Sequence, residues 1–451
     1  MRHLKIAFWG TLATLSGLWL IADPLVLRPA GFFPFRGSMV QFSGVLAMGC
    51  MSLAMILALR PRWPERWLGG LDKMYRLHKW LGIGGLVLGV AHWLWAKGPK
   101  WAVGLGWLER PSRGPRPAID NALQQFLATQ RGTAEAVGEW AFYAAVLLIV
   151  VALVHRIPYR IFYKTHRLIA VAYLVLVFHA VVLLQFSHWT TPLGVLMAGM
   201  LAGGTAAAVL VLLRRIGAGR KAEGKIVDLY YYPELRVLEG EIDIPQGWPG
   251  HTAGQFAFVT SDASEGAHPY TIASDWHPAE HRLKFITKEL GDYTRTLRER
   301  LRIGQPVSVE GPYGCFTFED ACPRQIWVGG GIGITPFIAR MKQIARGRQA
   351  RPGMSGPQEI HLFHTTADYS EEAIAKLRAD AAAANVDLHV LHDARHGRLT
   401  GERIRAAVPG WREASIWFCG PSGFGAALRQ DFAGHGLNVG KRFHQELFAL
   451  R

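Results

Sequence analysis

The 451 residues carry 50 Lys and Arg against 34 Asp and Glu, a formal net charge of +16, on a chain long enough for about three domains. The positive balance does not indicate nucleic acid, because the basic residues are not gathered in one patch with interleaved aromatics; they sit between long apolar runs, where the positive-inside rule accounts for them. Cys50, Cys315, Cys322 and Cys419 show no CxxC spacing, so neither a zinc site nor a disulfide framework is indicated, and a reducing compartment suits the soluble half.

Spanning a bilayer takes ~20 mostly apolar residues. Six runs qualify: Leu4 to Ile21, Ser38 to Leu59, His78 to Ala96, Val137 to His155, His166 to Phe186, and Leu193 to Leu213. Arg2 and Lys5 flank the first; Arg60, Arg62, Arg66, Lys73, Arg76 and Lys79 follow the second; Arg156, Arg160, Lys164 and Arg167 follow the fourth; Arg214, Arg215, Arg220 and Lys221 end the sixth. After an even number of passes these clusters share one side, which is the cytoplasmic one. The expectation is a multi-pass protein of the inner (plasma) membrane, in contact with the lipid bilayer, with both termini cytoplasmic. A cleaved signal peptide is the competing reading of the first run, but Ile21-Ala22-Asp23 offers no A-x-A site.

The third run carries His78 and His92. Fourteen helical steps put their imidazoles ~21 Å apart and only ~40° out of line, so one helix face holds a nitrogen ligand near each membrane surface. The fifth run repeats the arrangement with His166 and His179. Facing helices can clamp two haems, one above the other, each iron taking one imidazole from each helix. Thirteen steps leave ~140° of misalignment in a straight helix, so the second helix must bend or the haems must be rotated relative to each other. Four buried histidines hydrogen-bonding to neighbouring helices are the plainer alternative. The outer connection from Lys97 to Glu139, which contains RPSRGPRP, reads either as a solvated loop or as a cover for the outer haem.

From Gly224 to Glu310 the pattern becomes short alternating segments, KIVDLYYY, VLEGEIDI, GQFAFVTS, HPYTIAS, RLKFITKE and PVSVEG, at the spacing of a small antiparallel barrel. GDYTRTLRERL, Gly291 to Leu301, predicts a helix opening just after a Gly-Asp turn, with N-terminal NH groups able to receive a pyrophosphate. QIWVGGGIGITPF then reads as a buried strand, a glycine turn and a helix with Pro336 near its first turn. Gly329, Gly330, Gly331 and Gly333 let the backbone approach a phosphate or a nicotinamide. Strands at EIHLFHTT, DLHVLHD and SIWFCGP, with helices at Glu371 to Ala383 and about Glu402 to Ala407, complete a nucleotide-binding α/β sheet. Its ligand end holds Gly330, Thr335, Thr365 and Cys419 to Pro421. The fold class is therefore a multi-domain membrane protein: an all-α six-helix transmembrane bundle over 1–215, an antiparallel β-barrel over 222–320, and an α/β nucleotide-binding domain over 321–451.

Taken together, these residues resemble the ferric reductase and NADPH oxidase superfamily, whose soluble part is similar to ferredoxin-NADP reductase. HPYTIAS, with His268, Pro269, Tyr270, Thr271 and Ser274, resembles the flavin motif, which implies that Tyr270 and Thr271 lie against the isoalloxazine of FAD. GDYT, comprising Gly291, Asp292, Tyr293 and Thr294, matches the FAD pyrophosphate turn, and EGPYG matches the segment joining the two soluble domains. GGGIGITPF, with Thr335 and Pro336, and FCGPSGF, with Cys419, Gly420 and Pro421, correspond to the pyridine-nucleotide motifs. FHQELF implies that Phe448 stacks on the flavin, with Ala449, Leu450 and Arg451 beyond it. The histidine pairs match the superfamily's ligands to two b-type haems.

The resemblance implies hydride transfer from NADPH or NADH to FAD, then single electrons through His78/His166 and His92/His179 to a ferric chelate or dioxygen outside, the latter giving superoxide. His364, Thr365 and Thr366 stand where an Arg for a 2'-phosphate is usual, with Arg395 and Arg398 remote from that place, so NADPH and NADH both stay open. Ala96 stands where superoxide-forming oxidases often carry a further histidine. Cys419 reads equally as a group beside the nicotinamide and as a small buried residue. Two rivals remain: a relay that reduces a periplasmic redox protein, and a transporter or sensor with an accessory nucleotide domain.

Overall fold

The computed structural model describes residues 2–27, 29, 31–109, 119–154, 156–350 and 359–446. His155, the RPSRGPRP tract, and Phe448 to Arg451 lie outside them. Two compact units result, one of Met1–Leu68 and Lys73–Ile216, the other of Gly69–Asp72 and Gly217–Leu450.

The first unit is helical: α1 Arg2–Ala22, α2 Phe32–Ala58, α3 Glu65–Leu68, α4 Leu71–Gly104, α5 Ala122–Leu153, α6 Tyr159–His166, α7 Ile169–Leu183 and α8 Pro192–Leu212. Among the described residues five stretches are long and apolar enough to cross a membrane, namely α1, α2, α5, Arg160–Leu183 and α8. The expected sixth, α4, has 34 residues and is long enough; its histidines, lysines and glycines dilute its hydropathy. Leu15, Trp19, Val45, Tyr173, Met197 and Leu201 form the packed centre of α1, α2, α7 and α8. Tyr173 shares a 2.8 Å hydrogen bond with Ser52. A Cβ at position 204 would lie 2.0 Å from the Tyr173 hydroxyl, so only glycine lets α8 close on α7 there.

The helices depart from the sequence expectation at one point, carry an irregularity it did not foresee at a second, and at a third show the bend it allowed. First, the outer connection is largely helical: α4 runs on to Gly104 and α5 begins at Ala122, where Asn121 Oδ1 accepts from the Gln124 amide at 3.0 Å. An apolar window marks the buried middle of a helix and misses polar turns that continue it. Second, Pro99 lies inside α4 and has no NH for the Trp95 carbonyl one turn back. Arg36 supplies the missing donors, Nε to Trp95 O at 3.0 Å and Nη2 to Ala96 O at 2.8 Å. Third, the helix carrying the second histidine pair is broken: α6 ends at His166 and α7 starts at Ile169. Across the break Leu168 N bonds to Thr165 O at 2.9 Å and Val171 N to Leu168 O at 3.0 Å, three residues back. Such tightened turns advance ~120° per residue, and together with the bend they correct the phase of the thirteen-residue spacing.

The second unit holds two sheets. β1 Lys221–Tyr232, β2 Val237–Asp243, β3 Phe256–Thr260, β4 His268–Thr271, β5 Arg282–Lys288 and β6 Pro306–Tyr313 form an antiparallel sheet in the order β4-β3-β6-β1-β2-β5. An Ile272–Phe285 bridge joins its two edges into a barrel around Ala257, Ile272, Leu283 and Val309. The helix expected just after the Gly291-Asp292 turn is present but short, and its first turn, from Thr294, is a tight one. A 3-10 turn at Thr294–Thr296 leads into α9, only Leu297–Arg300, because Thr294 Oγ1 takes the Leu290 and Gly291 amides at 3.0 and 2.9 Å and makes a side-chain turn instead.

β7 Arg324–Gly330, β8 Glu359–Thr366, β9 Asp387–His392, β10 Ala414–Cys419 and β11 Phe443–Gln445 form a parallel sheet in the order β11-β10-β7-β8-β9. Its helices are α10 Thr335–Ala350, α11 Glu371–Ala384, α12 Asp393–His396, α13 Gly401–Ala407 and α14 Ser422–Gly434. One core lies between the sheet and α10 and α11, and the other between the sheet and α13 and α14. The barrel and this sheet are tied by Lys288 to Asp368 at 2.5 Å and by Tyr230 to Glu372 at 2.8 Å. The Lys288 ammonium holds the Asp368 carboxyl below the usual carboxylate range. A carboxyl lowered on folding contributes stability above its unfolded value and loses it as pH falls through the folded one. Lys288→Gln is therefore expected to cost about 1 kcal/mol near pH 7, because water reaches the Asp368 carboxylate and screens the pair. The gap between variant and wild type in thermal melts should close as pH is lowered into the acid range.

Candidate functional site

In the helical unit the four predicted histidines meet as the two expected pairs. His78 on α4 and His166 at the end of α6 have ring centroids 5.9 Å apart with planes at 67°. His92 on α4 and His179 on α7 lie 6.1 Å apart at 84°. Three of the rings spend Nδ1 on backbone carbonyls of other helices: His78 on Ala54 at 2.9 Å, His92 on Val40 at 2.8 Å, His179 on Ala134 at 2.8 Å. A carbonyl only accepts, so Nδ1 carries the hydrogen and Nε2 keeps its lone pair. The fourth, His166, has a buried Nδ1 with no hydrogen-bond partner among the described residues and stacks on Phe162 at 5.0 Å.

Glycines make the seats for these rings. A Cβ at position 138 would lie 2.0 Å from His179 Nδ1, and one at position 44 would lie 3.1 Å from His92 Nδ1. Neither Gly138 nor Gly44 was singled out from the sequence. The signal was available, since glycine inside an apolar span marks a close approach, but nothing in the spacing says what approaches.

In the barrel, β4 carries His268 to Thr271 against β3. The His268 ring stacks on Tyr293 at 4.3 Å and 15°, and the Tyr293 hydroxyl shares a 2.6 Å bond with Ser261. The fold thus brings the HPYT strand and the GDYT turn together. Burial lowers the His268 imidazole below its ordinary range. Ser274 stands apart from a ligand role in its side chain, which accepts the Lys284 amide at 3.1 Å.

In the parallel sheet, Cys419 pairs with Gly329 across β10 and β7, so both nucleotide motifs end at the same place. A Cβ at position 333 would meet Cys419 O at 2.2 Å, and one at position 330 would meet Pro421 at 3.0 Å; Gly331 has φ +56, the left-handed region. The glycine turn and the Cys419-Gly420-Pro421 loop can touch only because these residues lack side chains. Thr335 is 2% exposed and donates its hydroxyl to Ile332 O at 2.8 Å, closing the turn. Pro336 sits in the first turn of α10. Cys419 is fully buried, and burial with the Glu446 carboxylate holds its thiol well above its ordinary value. Near the C-terminal end of β8, His364 Nδ1 donates to Gly329 O at 3.1 Å, and burial pushes this imidazole down to about 4. Thr365 donates to Asp393 Oδ1 at 2.7 Å, and Arg395 lies over Tyr369 at 5.7 Å.

Residues 43–177 match the family described as ferric reductase like transmembrane component, and residues 222–317 match the FAD-binding domain family. The chain has the domain arrangement of the ferric reductase and NADPH oxidase superfamily. Among curated proteins it is similar to a flavohemoprotein of Pseudomonas putida, 23% identical over 49% of this chain and 55% of that protein. It is also similar to an NADPH oxidoreductase of Mycobacterium tuberculosis, 33% identical over 33% of this chain and 37% of that protein. The chain thus spans about half the length, or less, of these relatives. Among solved structures, the FAD/NAD-binding domain of a Vibrio cholerae nitric oxide dioxygenase matches 50% of this chain and 98% of its own, at 16% identity and TM-score 0.41.

The superfamily implies haem iron in its membrane domain, and the histidine geometry fits it. Two imidazoles that would bind one metal through Nε2 from opposite sides, at ~2.0 Å bonds, would have ring centres roughly 6.2 Å apart, counting ~1.1 Å from nitrogen to centre. Both pairs lie within half an ångström of that. The Nδ1-to-carbonyl bonds are the outer contacts that hold a ligating histidine in one tautomer. Gly138→Val is expected to push His179 off its seat and lower haem content by one equivalent while leaving the other, as read by absorbance of the extracted haem against protein. Gly333→Ala is expected to cost about 1–3 kcal/mol by forcing two strand-end loops apart, read as a lower melting temperature together with weaker NAD(P)H binding.

Proposed function

We propose that this membrane protein is an oxidoreductase that takes electrons from cytoplasmic NAD(P)H and delivers them through FAD and two haem sites to an acceptor on the outer side, a ferric chelate or dioxygen. The observation that carries the reading is the pair of matched bis-imidazole sites on one helix, ~21 Å apart along α4. A flavin is the group that accepts a hydride and passes on single electrons, which is what haem irons can receive. The protein's own residues perform no proton chemistry in this scheme. Tyr270, Thr271 and Gly291 to Thr294 would hold the flavin, and the turns at Gly329 to Gly333 and Gly420 to Pro421 would admit the nucleotide. His78 with His166 and His92 with His179 ligate the two irons, and burial of the rings keeps water away. Connections rich in Lys and Arg, such as Arg60 to Lys79, set the cytoplasmic side.

Asp393, hydrogen-bonded to Thr365 at the nucleotide end of the sheet, places a carboxylate where an added 2'-phosphate would be repelled. NADH is accordingly the better donor. The relay reading draws on the outer ends of α4 and α5 and the turn after α4, where Trp101, Phe126 and Trp107 are exposed and offer apolar surface to a periplasmic redox protein.

The test is anaerobic reduction of purified protein with NADH or NADPH, followed by ferric citrate or oxygen, with the haem bands followed in time. NADH should reduce faster, and one of the two acceptors should reoxidise the haem without any added protein; if neither does, the relay reading replaces the direct one. His92→Ala should lose one haem and the transfer to the outer acceptor, yet keep NADH oxidation by a soluble dye that takes electrons from the flavin. Two haems retained in both His92→Ala and His179→Ala would remove the proposed route.

A further inference from the structure

A second set of ligand-type side chains lies at the opposite end of the parallel sheet from the glycine turn. β8 and β9 pair in a register that sets His361 against Asp387 and Phe363 against His389. Alternation along each strand puts these side chains on one face. Both imidazoles converge on a single oxygen: Asp387 Oδ2 is 2.9 Å from His361 Nδ1 and 3.0 Å from His389 Nε2. The three ligand atoms all lie within 4.8 Å of one another. Around a tetrahedral zinc with bonds of ~2.0–2.1 Å, ligand atoms stand roughly 3.3 Å apart, so two of the three edges need to open by only a few tenths of an ångström.

The surroundings are those of a held ligand. The far nitrogen of His361, Nε2, faces Glu359 Oε1 at 2.8 Å, and the other oxygen of Glu359 accepts from Arg324 Nε at 2.8 Å. A carboxylate behind an imidazole fixes the ring and strengthens it as a ligand. His389 lies flat on Phe363, centroids 4.4 Å apart and planes at 9°, so its ring is oriented as well. His361 itself is buried, and the His389 side chain keeps 32% exposure, which leaves an entry path from solvent.

We propose that His361 Nδ1, Asp387 and His389 Nε2 bind a divalent transition cation, zinc being the best match to two imidazoles and a carboxylate, with Glu359 as a positioning residue and water completing the coordination. The cation binds each ring through a nitrogen that carries no hydrogen, the neutral ring keeping its hydrogen on the other nitrogen, that of His361 directed at Glu359; protons compete with the metal for these ligand atoms, so affinity falls as pH is lowered. β9 is an edge strand of its sheet, and the ion staples it to β8. Binding only to the folded state raises the melting temperature with zinc concentration. The site is independent of the redox reading, because no residue of either histidine pair, flavin motif or nucleotide motif takes part.

The experiment uses full-length purified protein, stripped with a chelator and titrated with zinc against a chromophoric competitor, with X-ray absorption at the zinc edge as the structural readout. One equivalent should be retained with imidazole scattering in its spectrum. His389→Ala and Asp387→Asn should each weaken that equivalent by at least ~10-fold, and Glu359→Gln by ~10–100-fold, with haem and flavin contents unchanged as the check on folding. If wild type retains no zinc, or if all three variants retain it equally well, the cluster is an ion-pair ladder across a strand edge and the proposal falls. If Glu359→Gln alone has no effect, its positioning role falls.

Discussion

The helical unit is organised around hydrogen bonds from imidazole Nδ1 atoms to backbone carbonyls. Each joins a histidine on α4 or α7 to a residue on α2 or α5, so the bonds that orient the rings also stitch the helices together. In an apolar surrounding a carbonyl already engaged in its own helix accepts a second donor at little cost, and an unpaired ring NH would be expensive. The same contact therefore stabilises the fold and selects the tautomer that leaves Nε2 for a metal. Gly44 and Gly138 belong to this arrangement, because any Cβ at those positions would occupy the space of the ring that makes the bond.

Helix geometry sets a second constraint. Fourteen residues on α4 return a side chain to nearly the same face, and thirteen on the opposing segment do not. The chain resolves the mismatch locally: two residues, Arg167 and Leu168, separate α6 from α7, and the three-residue bonds there turn the second half of the segment back into line. A comparable repair occurs at Pro99, where the carbonyl left without its partner is taken by Arg36 from α2. Both cases show irregular backbone in a membrane helix made tolerable by a specific partner.

In the second unit the chemistry is confined to strand ends. The glycine turn after β7 and the loop after β10 come close because the two strands are neighbours in register and the turn carries no Cβ where it meets Cys419 and Pro421. Thr335, Cys419 and His364 pack beneath this contact and shape it from inside, their polar atoms spent on the turn or shut away from water. The two ends of this sheet differ: the C-terminal ends of β7 and β10 carry the nucleotide turns, and the N-terminal halves of β8 and β9 the His361, Asp387 and His389 cluster.

The order of the layers, the six barrel strands, the parallel sheet and both histidine pairs were legible in the chain, because apolar periodicity, glycine turns and the fourteen-residue spacing are local patterns with few physical solutions. Local pattern also misled on helix length where a side chain competed with the backbone, as at Thr294, and where polar turns prolonged a helix past its apolar window, as in α4 and α5. Only the tertiary structure decided which carbonyl each imidazole bonds, which glycines yield to the rings, how the thirteen-residue spacing is brought into phase, and that Asp387 and His389 stand beside His361. Those facts depend on segments far apart in sequence meeting at distances of a few ångströms, and no spacing along a single chain encodes the partner that completes a contact.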